Sequence, residues 1–156
     1  MTEPRWLSED EQRSWRAFLA VQLLLPDQLG RDLQRQHGLT HADYEILVWL
    51  SESPGRRLRM SELAQVTLSS KSRLSHQISR MEEARLVART PCTQDRRGFW
   101  AELTDTGWKT LVAAAPDHVA SVRTHLVDLL TPEQFAQLGA TCQIVADHLR
   151  EAQSRT

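Results

Sequence analysis

Thr131-Pro132-Glu133-Gln134 constrains this chain more tightly than any other short stretch. A threonine that can cap, a proline at the first helical position and a glutamine able to reach back to the cap's N–H all start the same helix. The same punctuation recurs upstream. Ser8-Glu-Asp-Glu11 reads as a capping box, followed by Trp15, Phe18, Leu19 and Leu23 at helical spacing. Pro26 is a candidate kink in that first helix, Leu29 and Leu33 continue its apolar pattern, and Gly38 supplies a stop. Thr40-His-Ala-Asp43 restarts helix, with Tyr44, Leu47, Val48 and Leu50 as core candidates. With 156 residues, 40% of them hydrophobic, a mainly α domain with its own core is expected.

After the turn Ser53-Pro54-Gly55, Ser61 is placed to cap a short helix through Val66, and Ser69 or Ser70 a longer one to about Val87. Two helices so close in sequence have the spacing of a helix-turn-helix. On the longer helix Leu74, Ile78 and Met81 share one side. Ser72, Arg73, His76, Gln77 and Arg80 share the other, with no carboxylate before Glu82 and Glu83. A solvated helix face usually mixes both signs, whereas a face that enters a DNA groove must avoid acids. The charge count agrees. Residues 56–97 hold ten Arg and Lys against four acids, net +6, and leave −7 for the remainder of a chain whose overall charge is −1. This asymmetry is what a polyanion-binding patch on an otherwise acidic protein looks like.

Leu86-Val87-Ala88-Arg89 and Phe99-Trp100-Ala101-Glu102-Leu103 are strand-compatible and flank Thr90-Pro-Cys-Thr-Gln-Asp-Arg-Arg-Gly98, which reads as a hairpin with a long loop. A helix-turn-helix followed by a hairpin is a winged helix. Its wing carries Arg96 and Arg97 at the tip, where arginine suits the negative potential of a neighbouring minor groove. Asp95 is expected to pair with an arginine and fix its direction.

Thr104 then caps a helix carrying Trp108, Leu111 and Val112 that is expected to run through His118 and Val122 to Leu130, with Pro116 an irregularity. Leu126, Leu130, Phe135, Leu138, Val145 and Leu149 exceed what one helical hairpin buries alone, so a helical bundle between two subunits is expected.

Met60-Ser-Glu-Leu-Ala64, the Ser72 to Met81 helix, Asp95-Arg-Arg97 and Leu103-Thr104-x-x-Gly107, with Asp43-Tyr-Glu-Ile-Leu47 before them, together resemble the MarR family of winged-helix transcriptional regulators. The resemblance covers essentially the whole chain. It implies a single domain with a winged helix-turn-helix at about 40–103 and dimerisation helices at 8–36 and 104–150. It also implies a homodimer that binds an operator on double-stranded DNA. Ser70 to Arg80 correspond to the recognition helix and Arg97 to the wing arginine. Arg73, His76 and Gln77 are then candidates for base edges, and Lys71, Ser72, Ser75 and Arg80 for phosphates. Two-fold symmetry sets the recognition helices about 34 Å apart on a near-palindromic site. Two positions depart from the family pattern. Ser79 stands where an acid is frequent, and Arg85 where glycine is common; a non-glycine residue at positive φ is costly, which argues against the usual left-handed cap there.

The resemblance further implies a repressor released by a small, often aromatic or phenolic effector. Trp15, His41, Tyr44, Trp49 and Trp108, with Arg16 beside them, are the candidate pocket residues, and core packing is the plainer reading of these aromatics. Cys92 at the base of the wing is an alternative switch, a redox-sensing thiol near Arg89, against the plainer reading of a structural cysteine. A winged-helix module that grips an acidic protein partner is a third reading of the basic face.

No catalytic function is expected, since no glycine-rich phosphate loop or nucleophile elbow occurs. His37 and His41 have metal-like spacing, but Gly38 and the Thr40 cap break the helix between them; His118 and His125 read as ordinary surface or core histidines. Neither metal nor cofactor is expected. A charged start, two distant cysteines and the lack of a long apolar run favour a cytoplasmic protein with no membrane partner.

Overall fold

The computed structural model describes residues 4–92 and 95–154, with the backbone alone for 95–97 and for 153 and 154. Among the described residues six α-helices and three strands follow one another: α1 Glu9–His37, α2 His41–Glu52, β1 Arg57–Arg59, α3 Met60–Val66, α4 Lys71–Glu83, β2 Val87–Cys92, β3 Asp95–Leu103, α5 Asp105–His125 and α6 Pro132–Ser154. Short 3-10 turns precede β1 and follow α5. Two compact units result, Met1–His118 and Val119–Thr156, divided within α5.

Local chemistry sets the helix ends. Ser8 and Thr40 form reciprocal capping boxes with Glu11 and Asp43. Thr131 and Gln134 do the same at α6: Gln134 N donates to Thr131 Oγ1 at 3.2 Å and Thr131 N to Gln134 Oε1 at 2.9 Å. α1 is continuous through Pro26 and ends at Gly38, which is left-handed at φ 67°. Ser61 does not cap α3. The cap is two residues earlier, at Arg59, whose N donates to the Glu62 carboxylate at 3.0 Å; the helix starts at Met60 and Ser61 lies in its first turn.

α4 starts at the Ser70 cap and stops at Glu83, short of the expected Val87. The stop is a left-handed residue after all: Arg85 has φ 58°. Its N–H donates to Glu82 O at 2.8 Å and that of Leu86 to Met81 O at 2.9 Å, so two carbonyls that the helix end would orphan are satisfied, and this offsets the backbone strain. α3 ends in the same way at Leu68, φ 49°, with Leu68 N on Gln65 O and Ser69 N on Ala64 O. Both helices of the helix-turn-helix thus close on a strained non-glycine residue.

The strands are longer than expected, and one was missed. β3 pairs antiparallel with β2 on one side and with β1 on the other, with Leu58 opposite Ala101. Leu33, Leu47, Leu50, Leu63, Leu74, Ile78, Met81, Ala101 and Leu111 are buried in one core. α5 ends at His125, short of the expected Leu130, because the chain departs from helical geometry at Leu126 (φ −144°) before its 3-10 turn. Pro116 lies within the helix.

The Leu103-Thr104-x-x-Gly107 motif locks the start of α5. Thr104 Oγ1 accepts from Gly107 N at 2.9 Å and lies 2.6 Å from Arg85 O, to which it donates; Thr104 N donates to Leu86 O. Gly107 sits so close to this junction that a Cβ there would meet Leu86 O at 2.0 Å.

Candidate nucleic-acid interface

α4 turns Leu74, Ile78 and Met81 into the core, as its pattern predicts. Lys71, Ser72, Arg73, His76 and Arg80 stay exposed on the other face, while Ser75 and Gln77 are half-buried. Ser70 fixes the N-terminus by accepting from Arg73 N at 3.3 Å. With Lys71 and Arg73 in the first turn, Arg80 further along and no carboxylate before Glu82, the exposed face is cationic, and the N–H dipoles at its start also favour an anion.

Two of these side chains are held from behind. The buried carboxylate of Asp43 on α2 accepts from Gln77 Nε2 at 3.3 Å and from Arg80 Nη2 at 3.1 Å, both at Oδ1. Its Oδ2 accepts from Thr40 N at 3.1 Å. A shallow cleft of about 390 Å³, lined by Thr40, Ala42, Arg73, His76, Gln77 and Arg80, opens beside them.

The wing is fastened to α4 by Arg89 on β2, and sequence reasoning gave that residue no structural role. Its Nε donates to Glu82 Oε2 at 2.7 Å, and its backbone N–H to Glu82 Oε1 at 2.8 Å. Its guanidinium reaches Ser75 and the Ser79 hydroxyl. Ser79, which departs from the family pattern, is therefore a partner of the arginine. Opposite charges at Glu82 and Arg89 on either side of a short turn were the available signal. β1 brings Arg57 and Arg59 over the Trp100 ring on β3, 4.7 and 5.3 Å from its centroid, and Arg57 also meets Glu102 at 3.4 Å. The alternation Arg57-Leu58-Arg59 was the clue to this strand.

Asp95 lies opposite Cys92 in the β2–β3 pairing, beyond a register shift between Pro91 and Cys92. The side chains of Asp95, Arg96 and Arg97, and with them the expected pairing of Asp95 with an arginine, lie outside the described residues. Cys92 is buried at 4% exposure and lines a cleft of about 510 Å³ with Arg59, Ser61, Lys71, Ser75 and Arg89.

The five candidate pocket residues are only partly brought together. His41 and Tyr44 converge on His118, whose ring centroid lies 6.2 Å from the first and 4.3 Å from the second. Burial, and then the nearby His41, hold the His118 imidazole below its ordinary pKa, and its Nδ1 is buried without a hydrogen-bond partner. Burial raises the Tyr44 phenol. Trp15 packs on Phe18, and Trp108 lies under the Arg56 guanidinium at 4.1 Å. Trp49 is partly exposed on α2, and Arg16 is exposed on α1. His37 bonds Asp117 at 2.8 Å. Among the described residues no three metal-ligating side chains converge, and no helix is long and apolar enough to cross a membrane.

The geometry has close counterparts among known proteins. Residues 37–98 match the model of the MarR family. The chain is 55% identical to AbsC, a MarR family transcriptional regulator from Streptomyces coelicolor, across 95% of its own length and 99% of that chain, with a TM-score of 0.88. It is 48% identical to Sco3205, a MarR family regulator from the same organism whose structure was solved in complex with DNA, across 94% and 92% of the two chains, with a TM-score of 0.89. A more distant likeness, 29% over 101 residues, covering 65% of this chain and 73% of the other, relates it to the transcriptional regulator HosA of Escherichia coli. With its winged helix matched over nearly its whole length at such identity, the chain belongs to the MarR family of transcriptional regulators, a family of regulators and not of enzymes.

Proposed function

We propose that this protein is a homodimeric, sequence-specific DNA-binding repressor that holds a near-palindromic operator with two copies of α4 and of the wing. The observation that carries this reading is the exposed face of α4. Lys71, Arg73, His76 and Arg80 stand out from a helix whose opposite face is core, and no acid interrupts them. Such a face offers donors to phosphates and base edges and nothing that repels them. Likeness to a regulator solved with DNA supports it. Support for the dimer comes from the apolar side chains left exposed: Trp15, Phe18, Leu23 and Leu24 on α1, and Ile144, Val145 and Leu149 on α6. Relief of repression by a small aromatic or phenolic effector completes the reading on the family resemblance.

Duplex binding measured against salt concentration tests the proposal. A steep linear fall of log affinity with log salt is expected, because each neutralised phosphate releases condensed counterions. A flat salt dependence, or no preference for any sequence in a random duplex pool, would overturn it in favour of the protein-partner reading.

A further inference from the structure

Asp43 carries a consequence for base readout that rests on the DNA-binding reading above. Its carboxylate is buried, and it stands on α2, outside the recognition helix. Three N–H groups converge on it: Thr40 N on Oδ2, and Gln77 Nε2 and Arg80 Nη2 on Oδ1. An ionised carboxylate only accepts hydrogen bonds, so the Gln77 atom that faces it must be the amide nitrogen. One of the two N–H donors of Gln77 is used there. The other N–H and the Oε1 acceptor remain, side by side, beside the cleft that Gln77 shares with Arg73 and His76.

We infer that Asp43 is a positioning residue for base readout, holding Gln77 in the one amide orientation that accepts adenine and rejects guanine. Adenine presents N7 as an acceptor and N6 as a donor, complementary to the remaining N–H and Oε1 of Gln77. Guanine presents acceptors at both N7 and O6, and its O6 meets Oε1 with like partial charge. The same carboxylate restrains Arg80 on one side of its guanidinium and leaves the rest exposed for a phosphate. Neither effect needs Asp43 to touch DNA.

Selection of bound duplex from a random pool, with the full chain and its variants, tests this. Wild type is expected to enrich adenine at one half-site position, and Gln77→Ala to lose that preference alone. Asp43→Asn is the decisive variant. Its amide keeps one acceptor atom where the carboxylate has two, so it cannot serve Thr40 N–H on one side and Gln77 and Arg80 on the other, and Gln77 is no longer held in a single amide orientation. The adenine-to-guanine ratio at that position should fall by about fivefold to a hundredfold, the range a bidentate base contact supplies. In the Gln77→Ala background Asp43→Asn should change nothing further there, an outcome that a merely structural role of Asp43 would not give. If Asp43→Asn melts below the assay temperature, Asp43→Glu serves instead. Glutamate is the usual partner in a capping box, so α2 keeps its start, while the added methylene displaces the carboxylate from Gln77. A wild-type ratio in the folded variant overturns the inference about Asp43 alone. Failure of wild type to enrich any sequence overturns the DNA-binding reading and this inference with it.

Discussion

Leu68 and Arg85 hold left-handed backbone, at φ 49° and 58°, at the ends of the two helices that build the helix-turn-helix. An L-residue there costs about 1–2 kcal/mol, and both side chains are exposed, Leu68 at 80%, so little burial compensates. Glycine relieves the strain but returns about 0.4–1 kcal/mol as unfolded-state entropy. Leu68→Gly and Arg85→Gly should each stabilise the fold by up to about 1 kcal/mol, read as a rise in the urea midpoint at constant slope. A lowered midpoint would mean that these side chains hold the turn themselves. Gly107 is the opposite case. Its φ is ordinary and its difficulty is space, with Leu86 O lying 2.0 Å from where a Cβ would stand. Gly107→Ala must push α5 off the α4–β2 junction, and a loss of about 1–3 kcal/mol is expected in the same assay.

At the scale of elements, helix starts were legible because caps act locally: Ser8, Thr40, Ser70 and Thr131 each satisfy N–H groups within three residues. The core face of α4 was legible for the same reason, through its period. What escaped the sequence is long-range. β1 is three residues whose partner lies more than forty positions away, and Asp43 serves α4 across a similar distance. Arg89 escaped because in the sequence it is one cation of a basic segment and a neighbour of Cys92, while its carboxylate partner Glu82 stands on the preceding helix. Arg89→Ala removes that clip and leaves Glu82 without its charged partner. We expect a loss of about 1.5–3 kcal/mol in thermal unfolding, with weaker duplex binding, because the wing then hangs on sheet pairing alone. The contact of α5 with α2 makes a pH prediction. His118 packs on Tyr44 with His41 close by, while the neighbouring His37 is paired with Asp117. Its folded pKa lies below its unfolded value of about 6.5, so the unfolded chain binds more protons and stability rises with pH. The contribution is complete above about pH 6.5 and is lost as pH falls through the folded pKa. His118→Leu should flatten that part of the melting temperature profile between about pH 5 and 7; a profile parallel to wild type would remove His118 as its source.

For the whole molecule, the distribution of apolar surface is the strongest statement the chain makes about its state in solution. In the first unit the N-terminal half of α1 leaves Leu23 and Leu24 exposed at 73% and 66%, and in the second α6 leaves Ile144 at 72%. Exposed apolar residues share a face on each helix, Trp15, Phe18 and Leu19 on α1 and Phe135, Leu138, Val145 and Leu149 on α6. Two amphipathic helices with uncovered apolar faces are what a two-fold symmetric partner would bury, and a second copy of the chain supplies matching faces. The protein should therefore sediment at twice its 17.9 kDa. Its melting temperature should climb with protein concentration, since dissociation is then part of unfolding. Val145→Asp places a charge on the α6 stripe shared by Phe135, Leu138 and Leu149 without touching the winged-helix core. It should yield a monomer at micromolar concentration, lower the melting temperature, and abolish the concentration dependence. Duplex affinity should fall steeply in this variant although every residue of α4 is intact, because one recognition helix then forfeits the effective concentration supplied by its linked partner. A monomeric wild type with full operator affinity would refute the dimeric assembly, and a Val145→Asp variant that stays dimeric would take the apolar face of α6 out of the interface.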